Sequence, residues 1–261
     1  MTELKPQVYK DPRPAEYFDR FHERSRTHQA DWVFDFCRMV LTPPTMLMYR
    51  TAAIGTSNVP IRGPVILAPN HFSQWDHFFA AVYLRRKVRF MAKSQLFANR
   101  FIEFIFFHGG VFPVRRGMKD EEAFVTSHAI LDHGGCMLLY PEGGRSRSGG
   151  IGEPRPGIGR LALETGVPVI PVAIHGSQGV RRWKRFRFPK VTIQYGEPIS
   201  FPVVERPNRE QQLEVAKQVF TKVRAMYTEL DEKGRRGVIK SLREGITPDS
   251  PADASARSHT P

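Results

Sequence analysis

Apolar residues fall along this chain in short dense runs, near 65–69, 88–92, 111–114, 137–140, 168–174 and 191–195, with longer stretches of helical periodicity between them. Runs of that length, rich in Val, Ile and Leu and closed by Pro, Asn, Gly or a charged residue, predict buried strands. Their alternation with helical patterns predicts an α/β fold: a single catalytic domain whose central sheet is largely parallel or mixed and flanked by helices. Two helices can be bounded from the sequence. Glu121 and Glu122 put acidic charge at the positive end of one, and Gly134-Gly135 stops it. The other covers Arg209 to Leu230, with Leu213, Ala216, Val219, Phe220, Val223, Met226, Tyr227 and Leu230 on one face. Asn208 and Gln211 are spaced as a capping box for it.

The two ends follow other patterns. Trp32 to Leu41 and Met46 to Tyr49 are apolar, but Asp35, Arg38 and the pair Pro43-Pro44 interrupt them. A membrane-spanning helix needs ~20 mostly apolar residues, so the pattern predicts two short amphipathic helices that meet at the prolines. They lie either on the catalytic domain or in a membrane interface. After Gly234 the chain turns polar, and from Thr247 its Pro, Ser, Asp and Ala content predicts disorder. The expected organisation is a tail and amphipathic helical segment over 1–55, a catalytic domain over 56–232 and a polar tail over 233–261.

A net charge of +13 over 261 residues suits nucleic acid, anionic lipid or the phosphates of a ligand. The densest basic stretch, Arg181 to Lys190, interleaves Trp183, Phe186 and Phe188 with six cations, and no acidic residue occurs between Glu164 and Glu197. Aromatic rings among cations favour a membrane interface; a solvated hairpin with packed aromatics is the alternative. Cys37 and Cys136 sit in apolar surroundings without a CxxC or Cys/His cluster, which predicts buried free thiols. The N-terminus has no signal-peptide pattern, so a reducing cytoplasmic setting is expected.

Candidate chemistry gathers at the ends of the predicted strands. His71 follows the run Pro64 to Asn70, and Asp76 stands five positions later. A carboxylate that holds one imidazole nitrogen fixes the tautomer and raises the basicity of the other, the arrangement that activates a hydroxyl nucleophile. Lys93 ends the run from Val88, Arg115 and Arg116 end Gly109 to Val114, and Tyr140-Pro-Glu-Gly-Gly-Arg-Ser-Arg147 follows Cys136 to Leu139. Glycines admit a ligand close to the backbone, and Arg145 and Arg147 supply planar forks suited to phosphate. In a parallel sheet these ends converge on one edge, so a phosphate-binding cleft is expected there. His77, His108 and His175 read as structural.

Taken in order, Asn-His-x4-Asp, Gly-Gly-Val-Phe-x-x-Arg, Pro-Glu-Gly-x-Arg-Ser and Val167-Pro-Val-Ile-Pro-Val-Ala-Ile174 resemble the glycerolipid acyltransferase family, from about Val59 to Ile199. The resemblance implies transfer of a fatty acyl group from acyl-CoA or acyl-carrier-protein to the free hydroxyl of a lysophospholipid, most simply 1-acyl-sn-glycerol-3-phosphate giving phosphatidic acid. It implies that His71 is the general base and Asp76 its orienting partner. Lys93, Arg115 and Arg145 would hold the acceptor phosphate, and Glu142 and Gly143 would shape that pocket. Gly144, Tyr140 and Pro113 depart from the usual Thr, Phe and aliphatic residue, which leaves acceptor detail open. No metal or cofactor is expected beyond the acyl-CoA or acyl-carrier-protein co-substrate. The expected partner is an anionic membrane surface, reached peripherally or monotopically on its cytoplasmic side, with no nucleic acid. Two alternatives stay open: an acyltransferase for another lysolipid or glycolipid, and a non-enzymatic basic protein that binds membranes or nucleic acid.

Overall fold

The structure is a computed structural model that describes residues 11–115, 120–146, 150–180 and 188–245. Arg116, Arg147, the 181–187 part of the basic stretch and the tail from residue 246 lie outside the described residues. The elements run α1 (Asp19–Thr27), α2 (Trp32–Tyr49), β1 (Ala52–Ile54), β2 (Val65–Pro69), α3 (Asp76–Phe79), β3 (Val88–Lys93), α4 (Arg100–Gly109) and β4 (Val111–Val114). They continue with α5 (Glu121–Asp132), β5 (Cys136–Leu138), α6 (Gly157–Thr165), β6 (Val169–His175), β7 (Thr192–Tyr195) and α7 (Arg209–Arg243).

These strands form one sheet in the order β1-β7-β6-β2-β5-β3-β4. From β6 to β4 all neighbours are parallel, so five strands leave the sheet at one edge. β7 runs antiparallel to β6 and carries β1 parallel to itself. Val65 and Leu67 pack on one face with Phe79, Leu138 and Ile170, while Ile66 and Ala68 pack on the other with Ile130, Leu161 and Val219. Both faces are covered, which is why the β2 run shows no polar alternation. The α/β architecture expected from the apolar runs is the one observed. β1 was not anticipated: Ala52-Ala53-Ile54 is too short to signal, and its pairing with Thr192, Ile193 and Gln194 makes it a strand.

The N-terminal segment differs from expectation in its joint. α2 runs unbroken through Pro43 and Pro44, and the turn between the two helices falls at residues 28–31. Asp31 fixes that turn: its side chain accepts from the Val33 N–H at 3.0 Å, and Arg24 and His108 grip its other oxygen at 2.8 and 2.6 Å. Two adjacent prolines remove only two consecutive ladder bonds, and the Thr42 and Thr45 hydroxyls bond back to Arg38 and Leu41 carbonyls nearby. α1 packs on the domain. Phe21 and the preceding Phe18 are buried with Ala92, Phe97 and Val111, and burial of each ring contributes ~1.5–3 kcal/mol. The opposite holds for one side of α2, where Trp32, Phe36, Met39, Val40 and Leu47 are exposed along a single helical face. No helix among the described residues is long and apolar enough to cross a membrane.

At the other end, the ordered chain continues past residue 232. α7 kinks at Gly234, where φ is 63° and ψ 174°, then stays helical to Arg243 and buries Val238 with Ile54, Ala173 and Leu230. A polar sequence concealed this because one apolar residue per turn is enough to hold a short helix on an existing core. The capping box at Asn208 and Gln211 forms as expected.

Candidate active site

At the exit of β2, the Asn70 side chain donates to the Ile174 carbonyl at 3.1 Å and accepts from its N–H at 2.7 Å, locking the turn to β6. His71 follows, with Nδ1 2.9 Å from Asp76 Oδ2. The same oxygen accepts the backbone N–H groups of Phe72 and Ser73, each at 2.7 Å. The five-residue spacing therefore has a local cause: Asp76, the first residue of α3, closes the turn that begins at His71. Asp76 is 0% exposed and His71 6%. Out of water their interaction is strengthened, and with Nδ1 donating to the carboxylate, Nε2 is the nitrogen that can act as a base.

The loop after β5 is tied to this turn. Glu142 Oε1 accepts the His71 N–H and Oε2 accepts the Gly152 N–H, both at 2.8 Å, and the Ser146 N–H donates to the His71 carbonyl at 2.8 Å. Both oxygens of Glu142 are thus committed to backbone, and the side chain ties the His71 turn to the loop at Gly152. Burial pushes its pKa above the usual carboxylate value, against the pull of the two N–H groups, while Asp76 nearby pushes the same way as burial. Gly143 has φ +65°, and a Cβ there would lie 2.7 Å from the Arg155 side chain, so the turn needs glycine for conformation and for space. A Cβ on Gly152 would lie 2.7 Å from Glu142 Oε2. Arg224 of α7 clamps the far side through the Gly152 carbonyl and Glu153.

The expected cations sit at the same edge. Lys93 ends β3 opposite Val114, which puts Arg115 at the adjoining strand end. The Arg115 N–H is held by Asp120 at 2.6 Å, and its Nε is buried with no hydrogen-bond partner among the described residues. Arg145 is exposed on the loop that Ser146 ties to His71. Sequence reasoning missed a support behind Lys93. Arg13 grips Asp11 with two nitrogens at 2.9 and 2.8 Å and donates to the Ser94 carbonyl at 2.6 Å, one residue after Lys93. The guanidinium holds the Asp11 carboxyl down at about 2.

Residues 50–175, which contain the dyad, all three cations and the Glu142 brace, match the family model described as Acyltransferase. This stretch is similar to acyltransferase domains. Among similar proteins is a chloroplastic 1-acyl-sn-glycerol-3-phosphate acyltransferase of Brassica napus, 27% identical over 49% of this chain and 38% of that one. A 1-acyl-sn-glycerol-3-phosphate acyltransferase of Borreliella burgdorferi is 26% identical over 47% of this chain and 50% of its own, so the match spans half or less of both relatives. The namesake of Bacillus subtilis is 22% identical over 77% of this chain and 100% of its own. In three dimensions the fold is similar to the crystal structure of the 1-acyl-sn-glycerophosphate acyltransferase PlsC from Thermotoga maritima, with a TM-score of 0.57, 22% identity and coverage of 83% and 89% of the two chains.

Two rings beside the His71–Asp76 pair make contacts that carried no signal in the sequence. Tyr140 stacks on His71 with centroids 3.8 Å apart and planes 18° apart, and His77 stands edge-on to both at 5.4 and 5.0 Å. Periodicity could not find them, because the stack joins the ends of two strands far apart in the chain. His108 and His175 pair with Asp31 and Asp231 away from the dyad. Cys136 lies in the domain core, where burial pushes its thiol up to about 12, and half-buried Cys37 is raised for the same reason. Among the described residues no three His, Cys, Asp or Glu gather as a metal site requires.

Proposed function

We propose that this chain transfers a fatty acyl group from an acyl-CoA or acyl-carrier-protein thioester to the free hydroxyl of 1-acyl-sn-glycerol-3-phosphate, giving phosphatidic acid. The observation that carries the reading is the buried His71–Asp76 pair, 2.9 Å apart, at the strand edge that also bears Lys93, Arg115 and Arg145. The names of the similar proteins support the acceptor. Nε2 of His71 takes the proton as the hydroxyl oxygen attacks the thioester carbon. The tetrahedral intermediate then collapses, the carbon–sulfur bond breaks, and the thiolate leaves with that proton. Asp76 holds the imidazole in the required tautomer and balances its transient charge. General base catalysis contributes ~10²–10⁴-fold, and holding two substrates together contributes more. A thioester is already electrophilic, so this route calls for no metal or further cofactor.

The exposed α2 face supplies apolar area for docking on a membrane, and the chain's net charge of +13 favours an anionic, cytoplasmic surface over neutral lipid. The test of the reaction is an assay of the purified chain against a panel of lysolipids, with and without phosphate, using both thioester donors and mass spectrometry of the products. Phosphatidic acid formed by the wild type and absent with His71→Ala is the expected result. Transfer only to a phosphate-free acceptor, or undiminished transfer by His71→Ala, overturns it.

A further inference from the structure

The environment of Tyr140 has a feature that the proposed reaction does not use. Four oxygens belong to the two carboxylates that hold His71, those of Asp76 and Glu142. Glu142 commits both of its own to backbone N–H groups, and Asp76 Oδ2 accepts three donors. Asp76 Oδ1 is buried and has no hydrogen-bond partner among the described residues. The Tyr140 hydroxyl is likewise buried, and among the described residues it too makes no hydrogen bond. One donor lacks an acceptor and one acceptor lacks a donor.

We propose that Tyr140 is a positioning residue for the dyad: its ring sets the plane of the His71 imidazole, and its hydroxyl serves Asp76 Oδ1 across one bridging water. The inference rests on the reaction proposed above. The phenol pKa is raised well above its usual value by burial first and by the charges of Asp76 and Glu142 next, so the hydroxyl keeps its proton and remains a donor. An unmet buried acceptor is costly, and a water bridge is nearly as effective as a direct bond.

The consequence for chemistry is a tuned base. A carboxylate that receives a hydrogen bond relayed from Tyr140 through that water attracts the His71 imidazolium less strongly than one whose second oxygen is bare. The hydroxyl therefore holds His71 neutral, and ready to accept a proton, to lower pH. Other groups facing the ring set the background: His77 from α3 edge-on, with Phe90 of β3 behind it at 4.9 Å, Glu142 on the His71 N–H, and Arg224 of α7 acting on Glu142.

The test compares wild type with Tyr140→Phe, which keeps the stack and removes the hydroxyl, and with 3-fluorotyrosine at position 140, an isosteric and stronger donor. NMR titration of labelled histidines in the substrate-free full chain gives the His71 midpoint, assigned by the resonance missing in His71→Ala. We expect the Phe variant to titrate about half to one pH unit higher and the fluorotyrosine protein lower. The acid limb of kcat/KM should move in the same two directions, with the acceptor KM changed less than about twofold. Tyr140→Leu, which also removes the stack, should lower kcat further than Tyr140→Phe. Midpoints that coincide in all three proteins, or that move in one direction for both substitutions, overturn the proposal. The NMR midpoint needs no turnover, so absence of acyl transfer by wild type would sink the proposed reaction and leave this inference decided separately.

Discussion

Replacing Glu142 with Gln separates a brace from a ligand-binding group. In the wild type the carboxylate accepts the His71 and Gly152 N–H groups at 2.8 Å each, and the residue is 7% exposed. Glutamine offers one carbonyl oxygen, and its NH2 must face the second N–H. One charge-assisted bond, worth ~1.5–3 kcal/mol, is lost, and a buried N–H is left unmet at a further ~1–3 kcal/mol. Relief of the buried charge opposes this, since the folded-state pKa of Glu142 already lies above 4.5. The expected net loss is ~2 kcal/mol, which for a chain of this size lowers Tm by ~4–8 °C. Sliding His71 off its anchor should also cut kcat about tenfold, with little change in the acceptor KM. Calorimetry near neutral pH and initial rates check both. The pH dependence has a definite sign. The folded state binds the Glu142 proton more tightly than the unfolded chain, so this contribution is full below 4.5 and is lost as pH rises through the raised pKa; the Gln variant lacks that slope. A variant that melts with wild type but needs far more lysophosphatidate would refute the brace and make Glu142 a ligand contact.

Asp76→Asn should keep the turn largely folded yet lose at least ~10³-fold in kcat, because an amide facing Nδ1 favours the wrong tautomer; retained kcat would exclude the dyad. Single Ala replacements of Lys93, Arg115 and Arg145 should raise the acceptor KM by ~10–100-fold, from ~1.5–3 kcal/mol per charge-assisted bond, and erase the preference for a phosphate-bearing acceptor. Asp11 is held at about 2 by Arg13, against 3.8 when unpaired. Its stabilising contribution, at most ~2 kcal/mol given that Arg13 is one-fifth exposed, is present above 3.8 and lost as pH falls toward 2; denaturant titrations of Asp11→Asn should show that slope removed. Trp32, Phe36 and Leu47 changed together to Ser should weaken sedimentation with anionic vesicles more at high salt than at low salt, since insertion survives screening and headgroup attraction does not. Undiminished binding would move the docking face elsewhere.

The sequence by itself determined the parts of this protein that are written in consecutive residues. Strands buried on both faces need unbroken apolar runs, so β2, β3 and β4 were legible from Val65, Val88 and Val111 onward, and the parallel order of their ends put His71, Lys93 and Arg115 on one edge. The His71–Asp76 pair was legible for the same reason, because one short turn holds both residues. Tertiary structure decided whatever depends on contacts between distant segments. Prolines marked a break within α2 that the fold places instead at Asp31, where Arg24 and His108 converge from different helices. β1 exists because β7 lies beside it, and α7 extends past Gly234 because Val238 meets a core built by other strands. Glu142 carries a charge that suggests a ligand contact, yet its oxygens meet backbone from positions 71 and 152. The stack of Tyr140 on His71 likewise joins two strand ends. Local pattern encodes which segments become strands and helices, but the partners of a buried polar group are set by chain crossings, and those appear only when the sheet is assembled.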